Sequence, residues 1–347
     1  MSLNQNLEKL SNTQGVTGRE NKIRDLLTQM LKPYTDEIQV DRMENIIAVK
    51  KGKPKAPKIM LAAHMDEIGL MVKTITKDGF IQFSKLGGID DRILTAQEVI
   101  IHTKKGAYQG VIGSKPPHIQ KEEERKKIIP LDDLFIDVGA ENREDAVNMG
   151  IAIGDPIAFD ATYTKLNKEK VMGKAFDNRA GCAAMVETMK LLKDCSCTVY
   201  AVGTVQEEVG LRGAGTAAFT VDPDFALALD VTIAGDVPGV REYDTSVKLG
   251  NGPALTVSDS GIITHPKIMH WILDTSSEEK IPIQLESGLL GSTDAARISL
   301  TRQGIPSGAL LIPTRYIHSP ASILSLVDLE NTAKLASIAI QRATKLF

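Results

Sequence analysis

The sequence has few of the residues that mark a secreted, membrane-spanning or nucleic-acid-binding chain. It has three cysteines, Cys182, Cys195 and Cys197, too few and odd in number for a disulfide framework. Its amino terminus lacks the basic and apolar stretches of a secretory signal. No run approaches the roughly 20 apolar residues that a membrane span needs. Charge of one sign is also missing: 41 basic against 44 acidic residues give −3, so neither nucleic acid nor an anionic membrane is an expected partner. A cytoplasmic location is the economical expectation. What is present is a 42% hydrophobic fraction over 347 residues, enough for a packed globule and long enough for two domains.

Hydrophobic period divides the chain. Leu3, Leu7 and Leu10, then Ile23, Leu26, Leu27 and Met30, fall at helical spacing, with Pro33 as the stop. DEIQVDRMENIIAVKKG and KIMLAAHMD read as strands. From Ile68 to Asp160 short β-type runs alternate with Gly, Asp and Lys turns, and the charged run Lys121–Lys127 reads as a solvated loop. After Asp160 strands and helices alternate. The predicted helices are Asn178–Leu192, one after a Gly-rich turn, Pro266–Glu279, and Asp328 to the end, with GLLGSTDAARISL as a turn. This pattern predicts an α/β fold with a mostly parallel sheet flanked by helices. The expected domains are 1–67 with 161–347, discontinuous, and an inserted β-rich unit at 68–160.

Polar residues at the ends of apolar strands carry the chemistry. KIMLAAHMD ends in His64 and Asp66, TVYAVGTVQ in Glu207 and Glu208, and ALALD in Asp230. KAFDNRAGC puts Asp177 at a helix start, and His318 follows SGALLIP. Taken singly, His64 reads as a buried core histidine, Asp177 as a helix cap and the glutamate pair as solvated surface. Taken together they occupy the crevice beyond the carboxyl ends of a parallel sheet, where ligands bind in open α/β proteins. Two histidines with several carboxylates suit a pair of divalent ions, zinc or cobalt foremost and manganese compatible. Asp66 is spaced to orient the His64 imidazole. One of the adjacent glutamates can ligate while the other stays free as a base.

The motifs AHMDEIG, AFDNRAGC, VQEEVGLRGA, ALDVTIAGD and TRYIHSP resemble, in order, those of the tetrahedral and glutamyl aminopeptidases, metallopeptidase family 42. The resemblance runs from the first helix to the last. It implies two divalent metal ions per subunit bridged by Asp177, with His64 and Asp230 completing one site and Glu208 and His318 the other. It also implies Glu207 as general base on a bridging water, and Asp66 as the residue orienting His64. Removal of the amino-terminal residue from short peptides is the implied activity. The inserted unit is implied to act in assembly, of dimers and then of a dodecamer.

Two further features bear on function. Gly291-Ser292-Thr293-Asp294-Ala295 departs from the family's Gly-Gly-Thr-Asp-Ala and is expected to border the pocket for the first substrate residue. Arg297 beside it could meet an acidic side chain or be a structural arginine, so Glu, Asp and Leu-type residues all stand as candidates. Three other readings remain to be weighed. A deacylase or carboxypeptidase acting on N-acyl amino acids would share the His-x-Asp and Glu-Glu elements, and a non-catalytic assembly protein would need neither. A dinucleotide site at Gly210–Gly215 is disfavoured because Glu207 and Glu208 would repel a pyrophosphate.

Overall fold

The computed structural model describes residues 1–193, 195–289 and 291–343. Helices α1 (Leu3–Asn12) and α2 (Asn21–Leu31) open the chain, followed by strands β1 (Glu37–Val40), β2 (Ile46–Lys50) and β3 (Lys58–His64). Six strands come next: β4 (Gly69–Ile75), β5 (Ile81–Leu86), β6 (Glu98–His102), β7 (Ala107–Gly113), β8 (Phe135–Asp137) and β9 (Pro156–Phe159). Two short helices, α3 (Glu122–Arg125) and α4 (Arg143–Asn148), lie among them. The chain then returns through β10 (Thr164–Lys165), β11 (Lys170–Gly173), α5 (Phe176–Leu191), β12 (Thr198–Thr204), α6 (Arg212–Val221) and β13 (Phe225–Ile233). It ends with β14 (Ala254–Asp259), α7 (Pro266–Glu279), β15 (Gln284–Leu289), α8 (Asp294–Ser299), β16 (Ser307–Arg315), β17 (Ser322–Ser325) and α9 (Leu326–Gln341).

The large sheet runs β1-β2-β12-β3-β13-β16-β17-β11-β10, with β14 pairing β15 and β16 beside it. Its centre, β12-β3-β13-β16, is parallel, as the alternation of strand and helix predicts. The flanks depart from that expectation: β1, β2, β10, β11 and β17 pair antiparallel, because hairpins rather than helical crossovers join or border them. Period-two alternation splits each central strand between two cores. Ile59, Leu61 and Ala63 of β3 face α1, α2, α5 and α9, while Met60 and Ala62 face α6. Helices on both faces leave the carboxyl ends of the central strands as the open crevice.

Strands β4-β5-β8-β7-β6-β9 close into a barrel with its own core, including Leu70, Phe83, Ile101, Ile136 and Ile157. Two local expectations need correction. The 121–127 run holds the four-residue helix α3, exposed throughout, and the segment read as a turn at 288–300 contains helix α8, capped by Thr293. After β16 and His318 the chain adds β17, which pairs back antiparallel onto β16. The last predicted helix is α9, and residues 344–347 lie outside the described ones. Among the described residues no helix is long and apolar enough to cross a membrane.

Candidate metal centre

Four central strands and one helix deliver the polar groups. His64 is the last residue of β3 and is buried. Asp230 lies within β13, and Glu207 and Glu208 follow β12. Asp177 sits near the start of α5, with non-helical backbone at Asp177 and Asn178. Its place is therefore not that of an ordinary cap. The turn is held by Asn178, whose side chain donates to the Leu229 carbonyl of β13 (2.8 Å) and accepts from Gly181 N–H (2.9 Å). Left-handed backbone recurs around the crevice at Ala175, Gln206, Leu211, Tyr316 and His318, all non-glycine residues. Such conformations persist only where surrounding contacts over-determine them.

The two carboxylate oxygens of Asp177 face two different histidines. Oδ1 is 3.0 Å from His64 Nε2 and Oδ2 is 3.3 Å from His318 Nε2. Asp230 Oδ1 stands 3.7 Å from His64 Nε2, and Glu208 Oε2 stands 3.7 Å from His318 Nε2. Two ligand groups result, His64–Asp177–Asp230 and Asp177–Glu208–His318, each with donor atoms within 4.8 Å of one another. Glu207 Oε2 lies 3.8 Å from His64 Nε2, beside both groups. The structure thus brings together all seven residues singled out in the sequence.

The tautomers follow from the other ring nitrogens. His318 Nδ1 donates to the Gly88 carbonyl (2.7 Å), which leaves Nε2 to face Asp177 and Glu208. Gly88 lies between β5 and β6, so the barrel segment contributes directly to the crevice. His64 Nδ1 faces Asp66 Oδ1 at 3.5 Å, an ion-pair rather than a hydrogen-bond distance. Asp66 is engaged more closely elsewhere. It accepts the amide N–H groups of Glu207 (3.0 Å) and Glu208 (3.2 Å) and the Thr17 hydroxyl (2.9 Å). Glu20 accepts from Gln206 N–H (3.1 Å) and Gly18 N–H (2.7 Å) in the same way. Thr17 and Glu20 carry no motif in the sequence, and only the folded chain brings them to the glutamate loop.

Burial dominates the electrostatics. It drives Glu207 well above the usual carboxylate range, with Asp230, Asp294 and Glu208 adding to the effect. Glu208 is pushed up to about 8 by burial and the Asp177 charge, and Asp294 to about 7. Asp177 goes the other way: despite burial, hydrogen bonds from His318 and His64 hold it below its usual range. His318 rises to about 10 through its bond to Asp177, and His64 rises, against its burial, through the charges of Glu207 and Asp230. The crevice holds more carboxylates than its two imidazoles offset, and Glu208 Oε1 is buried without a hydrogen-bond partner. An excess of buried oxygen ligands with such an orphaned atom fits divalent cations.

The crevice has a volume of about 520 Å³. Gly291, Ser292 and Thr293 border it, as the sequence suggests, together with Leu211, Ile233 and Ile317. Asp259 and Glu286 also line it, and among the described residues no lysine or arginine does. Arg297 is absent from this lining. It lies on the exposed side of α8, over Gly215 of α6, as a residue of the helix face.

Histidines and carboxylates gathered beyond the carboxyl ends of parallel strands are the equipment of a metal-dependent enzyme on an α/β fold. The chain belongs to the M42 peptidase family: residues 44–335 match M42 glutamyl aminopeptidase. It is accordingly an aminopeptidase, a hydrolase acting on peptides. The lysyl aminopeptidase of Pyrococcus furiosus is 38% identical over 96% of this chain and 96% of its own. A TET aminopeptidase from a marine-sediment Thaumarchaeota archaeon superposes with TM-score 0.95 at 40% identity, covering 98% of this chain and 96% of that one. The Pyrococcus horikoshii TET1 peptidase, which can assemble into a tetrahedron or a large octahedral shell, gives TM-score 0.87 at 34% identity, covering 97% and 98%.

Proposed function

We propose that the protein is a dinuclear metal aminopeptidase that removes the amino-terminal residue from short peptides. The observation that carries this reading is Asp177, with one oxygen toward His64 and the other toward His318. His64, Asp177 and Asp230 would hold one divalent ion, and Asp177, Glu208 and His318 the other, with zinc or cobalt favoured and manganese compatible. When bound, such ions acidify a water and polarise the scissile carbonyl. Glu207 then takes the proton from the attacking water and returns it to the leaving amine. Asp66 holds the Glu207 and Glu208 amides and faces His64, so it positions base and ligands together.

The lining supports a free amino terminus over the competing substrates. A carboxypeptidase or a deacylase of N-acyl amino acids must hold a free carboxylate, and among the described residues no lysine or arginine lines the crevice. Asp259 and Glu286 suit a first residue with a cationic end on an apolar stem, and the likeness to a lysyl aminopeptidase agrees. With Arg297 on another face, an acidic first residue has no partner here. The preference is thus for Lys or Arg, ahead of the Leu-type residues and of Glu or Asp.

Residues 68–160 are read as an inserted domain for homo-oligomeric assembly, as dimers and then a dodecamer, on a catalytic domain of 1–67 with 161–347. Exposed Ile119, Ile128, Val147 and Ile153 in that insert suit such contacts. A cytoplasmic setting accords with three free thiols. The test is a pair of variants assayed on aminoacyl-nitroanilides with metal analysis. Glu207→Gln loses turnover by about 10²–10⁴-fold while both metals stay bound. His318→Ala loses metal from one site. Full activity in either variant overturns the assignment.

A further inference from the structure

A second cavity, of about 500 Å³, lies outside the catalytic crevice, between the α1–α2 connection and the β6–β7 hairpin. Arg19, Lys22, His102 and Lys104 line it, with Asp155 as the one carboxylate among the lining residues. That carboxylate is already engaged, since one of its oxygens accepts the Ala152 N–H at 2.9 Å. The cations are not. Among the described residues Lys22 and Lys104 have neither a hydrogen bond nor an ion pair from the side chain, and Arg19 donates only to the neighbouring Gly18 carbonyl. His102 Nε2 is a buried nitrogen without a partner. Burial, then the Lys22 charge, hold its imidazole below the usual range, which keeps it neutral and leaves that nitrogen to share a single proton.

Behind this wall stands more positive charge. Glu67 is shared by Lys174 (2.6 Å) and Arg179 (3.2 Å), both buried, so that group is cationic in sum. Unpaired cations converging on a concave site, with an orphaned buried nitrogen, have the character of an oxyanion pocket. The cavity exceeds a single oxyanion, and Val16, Ala107 and Pro156 supply an apolar side wall for an organic remainder.

We propose that this cleft binds a small anion bearing a phosphate-type group, held by Arg19, Lys22, Lys104 and His102. The site would join the catalytic unit to the barrel. Its inner wall is also tied to the glutamate loop, because the segment that carries Arg19 includes Thr17, bonded to Asp66, and Glu20, bonded to Gln206. An anion clamping this segment to the hairpin would brace the backbone beneath Glu207 and Glu208.

The test is titration of the metal-loaded protein with inorganic phosphate and, in a second arm, with glucose 6-phosphate, at ionic strength held constant with chloride. Binding is read by calorimetry. Lys22→Ala/Lys104→Ala is compared with Lys53→Ala/Lys334→Ala, which removes the same charge from exposed positions elsewhere. Loss of two charge-assisted contacts weakens binding at least about tenfold in the first variant and leaves the second at the native affinity. His102→Ala weakens it as well. Tighter binding of the organic phosphate identifies the apolar wall as part of the site, and equal affinities confine recognition to the phosphate group. Absence of binding to the native protein, or equal binding by both double variants, overturns the proposal, the second outcome placing the anion at the metal centre.

Discussion

Glu286 shows how one buried carboxyl can set a preference and its pH dependence. Burial raises it to about 7, and its Oε2 is orphaned in the crevice wall. Below that value the group is neutral and offers a cationic substrate no charge; above it the carboxylate is present. The ratio of kcat/KM for Lys-nitroanilide to Leu-nitroanilide therefore rises between pH 6 and pH 8, and the substrate amino group common to both cancels. Glu286→Gln flattens the ratio across that range and lowers it at pH 8 by roughly tenfold, as expected for loss of one charge-assisted contact. A ratio that does not change with pH in the native enzyme would show that Glu286 does not read the first residue.

At the scale of elements, the placement of Asp177 depends on how closely α5 approaches β13. Gly181 allows that approach: a Cβ there would stand 2.2 Å from Asn178 Oδ1 and 2.4 Å from the Leu229 carbonyl. Both atoms belong to the arrangement that fixes the turn before the helix. Gly181→Ala is expected to destabilise the fold by about 1–3 kcal/mol, the ordinary cost of overpacking, measured by urea unfolding. Because the displaced atoms adjoin Asp177, metal affinity should fall with stability. An alanine variant of unchanged affinity would separate the helix contact from the site. Arg179 ties the same helix to the amino-terminal connection, donating to the Leu10 and Thr13 carbonyls at 2.7 Å each and to Met65 at 2.9 Å.

For the whole molecule, the centre joins parts that lie far apart in the chain. Strands β3, β12, β13 and β16, helix α5 and the Gly88 carbonyl of the barrel segment all meet there. Ions bound only by the folded state stabilise it in proportion to their affinity. Removal of metal by a chelator should abolish peptidase activity and lower Tm by roughly 5 °C, with both restored by Zn²⁺ or Co²⁺. Loss of activity without a fall in Tm would mean that the ions contribute little to holding these parts together. A dodecamer of 37.6 kDa chains has a mass of about 450 kDa, which light scattering of the metal-loaded protein can check.

Much of this was legible in the residues. Continuous apolar runs in KIMLAAH and FALALDV, and period 3.6 in the flanking helices, announced the central layers, and polar strand ends marked the crevice, because apolar strands tolerate buried carboxylates and histidines only where these find partners. Other features were out of reach. The antiparallel flanks depend on long-range pairing such as β11 with β17. The hydrogen bonds of Thr17 and Glu20 to the glutamate loop have no sequence pattern. The orientation of Arg297 depends on which side of α8 packs inward, and no local periodicity in six residues fixes that. The sequence by itself determined which chemical groups the protein brings to its strand ends, since residue type and hydrophobic period are local properties. Only the tertiary structure decided that one carboxylate would face two histidines and that the described residues lining an acid-rich crevice would include no lysine or arginine, because distance and shared burial exist only in the folded chain.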